Sequence, residues 1–299
     1  MNQNDFPSFF IAGDNASLQA QKNYLFLFRL DLILMCIASI VTIYSFNEIE
    51  FRKFIYYLVF FSIAGALITS LILKIKRYED IWYRGRALAE SCKTLTWRYV
   101  TCSEFFENTL STSEAQQRFI NRIKEIYDQF KDISKDLKSK DISKSIITDK
   151  MSEIRLLSVE EREEIYLKER VRDQLQWYSS KSEFNEKKYS KWFWIVIILQ
   201  LVTLCFAIFL IEYPESNFNL VSALTTFGAS GFSWLQVKNY QENKEAYLTA
   251  TSELNLILAD YESLDKSQLN RESEFAKFVL DAENAMSREH TMWLAQKRK

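Results

Sequence analysis

Apolar positions along the chain gather into four stretches. They are YLFLFRLDLILMCIASIVTIYSF (24–46), FIYYLVFFSIAGALITSLILKI (54–75), FWIVIILQLVTLCFAIFLIEY (193–213) and the shorter, less apolar LVSALTTFGASGFSWLQV (220–237). As helices, stretches of this length cross about 30 Å of hydrocarbon. Only NEIEFRK (47–53) separates the first pair and PESNFN (214–219) the second, so the pattern predicts two transmembrane hairpins. Lys74, Lys76 and Arg77 follow the second stretch, Lys187, Lys188 and Lys191 precede the third, and Lys238 follows the fourth. The tip loops carry little net positive charge. The excess of Lys and Arg on one side predicts that both termini and the long middle region are cytoplasmic.

Outside the four stretches the period changes. Tyr78, Ile81, Gly85, Leu88, Cys92, Leu95, Tyr99, Cys102 and Phe106 alternate spacings of three and four, the seam of one long helix. Gly85 and Cys92 keep that seam narrow enough for close approach of a partner helix. Tyr240, Tyr247, Leu254 and Tyr261 recur every seven after the fourth stretch, with Thr251 and Leu258 between them. Val171, Leu175, Tyr178, Ser182, Asn185 and Tyr189 carry one face into the third stretch, behind a capping box from Ser158 to Glu161. Ser113 and Gln116 read as the capping box of a further helix from about Glu114 to Lys138, and 139–157 as a weak linker with some helix. The expected fold is an all-α membrane protein: four transmembrane helices in two hairpins, with long cytoplasmic helical arms. The order of arm, hairpin and amphipathic helix repeats, dividing the chain into modules at 1–150 and 151–299.

Composition narrows the function. Five Gly and two Pro argue against a turn-rich sheet fold. The 38 basic and 39 acidic residues leave a net charge of −1, which points away from nucleic acid. Mean hydropathy is −0.17, an average that conceals the segregation just described. Cys36, Cys92, Cys102 and Cys205 lack metal-ligand spacing and read as reduced packing residues. The first 22 residues read as polar, without the charged start and short apolar core of a cleavable signal peptide.

Candidate chemistry centres on Gly228-Ala229-Ser230-Gly231, a GxSG string of the kind that carries the nucleophile of rhomboid intramembrane proteases. A serine nucleophile needs a base. The single histidine, His290, lies in the charged tail, and no lysine sits inside a span. The expectation is therefore no enzyme, no metal and no cofactor. The small residues have another use. Ser222, Thr226, Ala229, Ser233 and Gln236 form one mildly polar stripe, while Gly228 and Gly231 flatten the helix. Two readings stand: tight packing against the third stretch or a neighbouring subunit, or a hydroxyl-lined pore wall in an oligomer. Arg29 and Asp31 sit inside the first stretch. Two apart on a helix, they do not face each other; Arg29 can snorkel to headgroups, and Asp31 needs a partner or water.

WYRGRALAESCKTLTWRY (82–99), directly after a hairpin, resembles one subgroup of the SLATT domains. RDQLQWYSSKSEFNEKKYSKWFW (172–194), with its hairpin and the closing SREHTMWLA (287–295), resembles a second. These are two-helix transmembrane modules of bacterial conflict systems, often encoded beside nucleotide-generating or nucleotide-sensing proteins. The resemblance implies an effector that perturbs the inner membrane, as a homo-oligomeric pore, with such a cytoplasmic partner. The matching positions are Trp82, Tyr83, Arg84, Gly85, Arg86, Glu90, Lys93, Trp97, Trp177, Tyr178, Glu289 and Trp293, assigned to the junction of cytoplasmic helices and membrane as structural or gating residues. Arg84, Arg86, Glu90, Lys93 and Arg98 also lie off the first seam, where a solvated face with intrahelical ion pairs is the plainer expectation. The rival function is a non-conducting scaffold or signal-relay protein, whose cytoplasmic helices dock a partner while its spans anchor it in the bilayer.

Overall fold

The structure is a computed structural model that describes residues 1–264 and 270–296, with side chains described through Ser287. Among the described residues it is helical throughout. The long elements are α1 (Ser8–Ile40), α2 (Ile49–Lys76), α3 (Tyr78–Val100) and α4 (Thr112–Gln129). Short helices follow: a 3-10 segment (Lys131–Asp136), α5 (Ser139–Ile142), α6 (Asp149–Arg155) and α7 (Val159–Tyr166). A π segment (Leu167–Arg172) leads into α8 (Asp173–Glu212), then α9 (Val221–Lys238), α10 (Tyr240–Glu262) and α11 (Arg271–Gln296). Two compact units result, and neither is continuous in sequence. One comprises 1–21, 79–182 and 245–299; the other comprises 22–78 and 183–244. This division cuts across the chain-order halves at residue 150.

The first unit has a core of the kind found in water. Leu88, Cys92, Tyr99 and Val100 of α3 are fully enclosed by Phe106, Phe119, Ile123, Met151, Tyr166 and Phe275. The predicted α3 seam is buried from Gly85 to Phe106, although the helix itself ends at Val100. The burial is wider than a seam: Tyr83, Ala87, Ala89 and Trp97 are buried too, because α3 is surrounded. Its close partner is α1. A Cβ on Gly85 would lie 2.9 Å from the Gly13 carbonyl oxygen, and one on Gly13 equally close to that of Gly85. Backbone thus meets backbone at a point where only hydrogen fits.

Two sequence expectations are corrected here and a third is extended. The N-terminal segment is not simply polar: Phe6, Phe10, Ile11 and Ala12 are buried, and α1 starts at Ser8. The capping box of α4 is Ser111 with Glu114, not Ser113 with Gln116, and α4 stops at Gln129. A carboxylate answers both the Ser111 amide and hydroxyl, at 3.1 and 2.7 Å, better than a neutral amide would. Within 139–157 the expected helix forms as α5 and α6, and the segment does more than link. Arg155 donates to the carbonyls of Tyr99 (2.8 Å) and Phe106 (2.9 Å), and Arg162 to that of Thr101 (2.8 Å). The chain turns sharply after α3, with positive φ at Cys102 and Phe105, so these buried carbonyls need side-chain donors.

The second unit follows the opposite rule. Three helical stretches are long and apolar enough to cross a membrane: α1, Ile49–Val100 and Val159–Glu212. Only 17%, 17% and 6% of their most apolar windows is buried, so their large side chains face outward. On α2, Phe54, Tyr57, Phe60, Phe61, Leu67 and Leu71 are exposed, while Ser62, Ala66 and Thr69 are buried. Small and hydroxylated residues at spacings of four and three, turned inward, are how helices pack in lipid. α1 ends at Ile40 rather than at Phe46, because 41–48 forms the tip. α9, an 18-residue helix, is not among these apolar stretches; five hydroxyls and Gln236 lower its apolar content. Arg77 and Asn239, both left-handed, separate α2 from α3 and α9 from α10, the same device after each hairpin.

Substituting Gly85→Ala should destabilise the first unit by about 1–3 kcal/mol through overpacking. Thermal unfolding of the purified protein in detergent, followed by tryptophan fluorescence, checks this. A wild-type transition would show that α1 and α3 do not cross so closely.

Candidate functional site

Within the second unit, the two charges of the first apolar stretch, Asp31 and Arg29, are each placed by an identifiable contact. Asp31 Oδ1 accepts from the hydroxyls of Thr69 and Ser70 on α2, both at 3.0 Å. The partners of Asp31 are therefore hydroxyls of its own hairpin. The Arg29 guanidinium lies 4.9 Å over the Trp234 ring. Gly65 lets the Leu34 side chain approach, 3.1 Å from where a Cβ would stand. At the tips the two hairpins are joined by backbone: Ser45 N–H donates to Asn217 O (2.9 Å), Asn219 N–H donates to Ile43 O (2.7 Å), and Tyr44 and Phe218 form an antiparallel bridge. That pairing satisfies backbone groups a membrane interior would leave costly.

α9 has two distinct faces. Ala223, Gly228 and Gly231 are buried, and a Cβ on Gly231 would stand 3.0 Å from the Val196 side chain of α8. Ser222, Ala229 and Gln236 are exposed, with Thr226 and Ser233 half-buried beside them. Of the two glycines it is Gly231 that is set against α8, while a Cβ on Gly228 would meet open space; Gln236 lines a cleft with Val196 and Gln200 of α8. Ser230 lies on the inner side, 3.5 Å from the Cys36 sulfur. The side chain of His290 lies outside the described residues.

In the first unit the sequence-predicted residues divide. Trp82 stacks on Tyr83 at 4.7 Å, and its carbonyl accepts from the Ser17 hydroxyl at 2.9 Å. Arg84 pairs with Asp132 at 2.7 Å and lies over Phe130. Arg86 and Glu90 form an i,i+4 pair at 3.6 Å, as expected of that face. Trp97 is only 2% exposed, with the rings of Phe6 and Tyr166 edge-on to it; it is a core residue. Trp177 sits against Tyr247 at 5.1 Å. Glu90, Lys93 and Arg170 line both a cavity of about 460 Å³ and a second of about 350 Å³. Burial, with Arg170 beside it, holds Lys93 below the ordinary lysine range, against the pull of Glu90 and Glu283. The side chains of Glu289 and Trp293 lie outside the described residues.

The sequence reading missed the deepest polar cluster. Glu283, fully buried, accepts from Arg170 Nε and Nη2 (both 2.8 Å), Tyr166 Oη (3.1 Å) and Thr94 Oγ1 (2.8 Å). Burial alone would lower the Arg170 pKa, but the carboxylate outweighs it and holds the guanidinium above its ordinary range. Tyr166 is pushed up by burial and by the same carboxylate. Around the cluster, Arg162 pairs with Glu272 and Arg271 with Glu163. The sequence carried no signal for this cluster, because charge runs ordinarily face solvent and the π segment that holds buried Arg170 appears only in the fold. Among the described residues no three His, Cys, Asp or Glu are grouped to hold a metal ion.

These features define a helical membrane protein with a separate polar-surfaced unit. Residues 7–163 match the model of the SMODS and SLOG-associating 2TM effector domain 3, and residues 166–293 that of effector domain 1. The chain belongs to the SLATT family, with two modules in tandem. No curated protein and no solved structure matches it at a significant level.

Glu283→Ala should cost about 3–5 kcal/mol by leaving Arg170 buried and unpaired, whereas Arg170→Met with Glu283→Leu should cost far less or nothing. Unfolding midpoints of the three proteins in detergent decide. Equal losses in both variants would mean that shape, rather than charge pairing, matters there.

Proposed function

We propose that the protein is a membrane effector of a bacterial antiphage system that oligomerises and permeabilises the inner membrane. In this reading α9 is a fourth span, and both termini are cytoplasmic. At about 1.5 Å per residue α9 is about 27 Å long, nearly the hydrocarbon thickness. Four packed spans enclose no channel, so several copies must surround a common axis. The activating signal would reach the protein through a cytoplasmic nucleotide-generating or nucleotide-sensing partner.

The observation that carries this reading is the outward direction of the α9 stripe. Ser222, Ala229 and Gln236 are exposed in the single chain, while the glycines opposite are buried. A polar stripe on the outside of a membrane helix is poorly matched to lipid, and it fits water or another copy. A non-conducting scaffold would leave the stripe without that use.

Ser222→Leu, Thr226→Leu and Ser233→Leu should each abolish ion flux through liposomes bearing the protein, without abolishing its assembly. Wild-type flux in all three would refute the lining. Overexpression separates the rival: a pore depolarises cells, a scaffold does not.

A further inference from the structure

A groove of about 880 Å³ runs along the second unit between α1, α8 and α9. Its walls are apolar for most of their length, with Leu32, Ile33, Ile37 and Ile40 on one side and Ile195 and Leu199 on the other. Its character changes at the end away from the hairpin tips. There it is lined by Arg29, Lys188 and Lys238, set among Trp192, Trp234 and Tyr240. Among the described residues, no acidic side chain lines it. The cations are shelved on rings: Arg29 over Trp234 at 4.9 Å, Lys188 over Phe184 at 5.4 Å, and Lys238 over Trp234 at 5.8 Å. Glu186, close by in sequence, is engaged by Lys244 at 2.7 Å.

We infer that this groove binds an anionic glycerophospholipid, its phosphate at the three cations and an acyl chain along α1. Length supports the assignment. From Arg29 to Ile40, α1 rises about 16 Å, close to half of a hydrocarbon core of about 30 Å, so the groove spans one leaflet. Charge selects the headgroup, because a net positive mouth favours a lipid with net negative charge over a zwitterion. The aromatic residues stand where tryptophan and tyrosine gather, at the boundary between headgroups and chains. Volume agrees, since 880 Å³ lies within the range of ligand pockets of about 300–1,000 Å³. Ser230 and Cys36, 3.5 Å apart on the wall, then serve as small side chains that leave the chain room.

The test uses the full chain purified in detergent, titrated with palmitoyl-oleoyl phosphatidylglycerol or phosphatidylcholine and read by native mass spectrometry. This readout is binding, so it is independent of ion flux, and the pore reading can fail while the lipid site stands. Wild type should hold one phosphatidylglycerol per chain in preference to phosphatidylcholine. Replacing Arg29, Lys188 and Lys238 by Gln should weaken phosphatidylglycerol about a hundredfold, about fivefold per cation. Lys53→Gln, at the tip, should change nothing. Ser230→Leu, which keeps the cations but narrows the groove, should weaken both lipids. Equal binding of the two lipids, or phosphatidylglycerol retained by the triple variant, overturns the inference. So does lipid-free protein in which the groove is covered by a second copy, seen as Cys36 protected from maleimide only in the oligomer.

Discussion

Glu283 is the point on which the first unit depends. Its carboxylate has left water entirely, and it is compensated by a guanidinium, a phenol and a threonine hydroxyl. Ions so placed are tolerated only when their hydrogen bonds are nearly complete. The donors come from both halves of the chain: Thr94 from the first family module, and Tyr166 and Arg170 from the second, which also holds Glu283. A buried pair of this kind adds little stability over an apolar pair. Its geometric demands fix which helices meet, and here they lock two tandem modules into one core. Arg155 and Arg162 extend the logic by closing the carbonyls left open where α3 ends.

The second unit is organised by a different solvent. In the first unit large apolar side chains are hidden and charges lie outside, except for the compensated few. In the second, phenylalanines and leucines are displayed while serine, threonine, alanine and glycine pack inside. Lipid tails are as apolar as leucine, so burying leucine gains little there and close backbone approach gains more. Asp31 obeys the same rule, turned to two hydroxyls on the adjacent helix rather than to lipid. The backbone pairing of the tips ties both hairpins at one end, so the two modules are joined in this unit as well.

α9 takes part in both of the proposed sites. Gly231 sets α9 against α8, and Ser222 and Gln236 remain exposed. The cationic, aromatic mouth of the groove lies between the same helix and α1. A bound anionic lipid would therefore touch the helix whose outer face the proposed pore uses, which connects membrane composition to assembly.

The helical class, the three most apolar helices, the heptad seams and the family were legible in the sequence because each is a periodic or local signal. Gly85 was legible as a point of close approach for the same reason, since a lone glycine in a seam has few other uses. The partner of Gly85 was not legible, because Gly13 belongs to a segment far away in the chain. The register of a capping box was missed by two residues, since neighbouring serines compete and only the fold chooses. The burial of Glu283 and Arg170 could not be read at all: in sequence they are two charges among many in amphipathic helices. Tertiary structure alone decided which charges lose their water, because burial depends on what packs on every side. It decided the outward face of α9 for the same reason. The sequence determined what each helix can bury, and the packing determined against what.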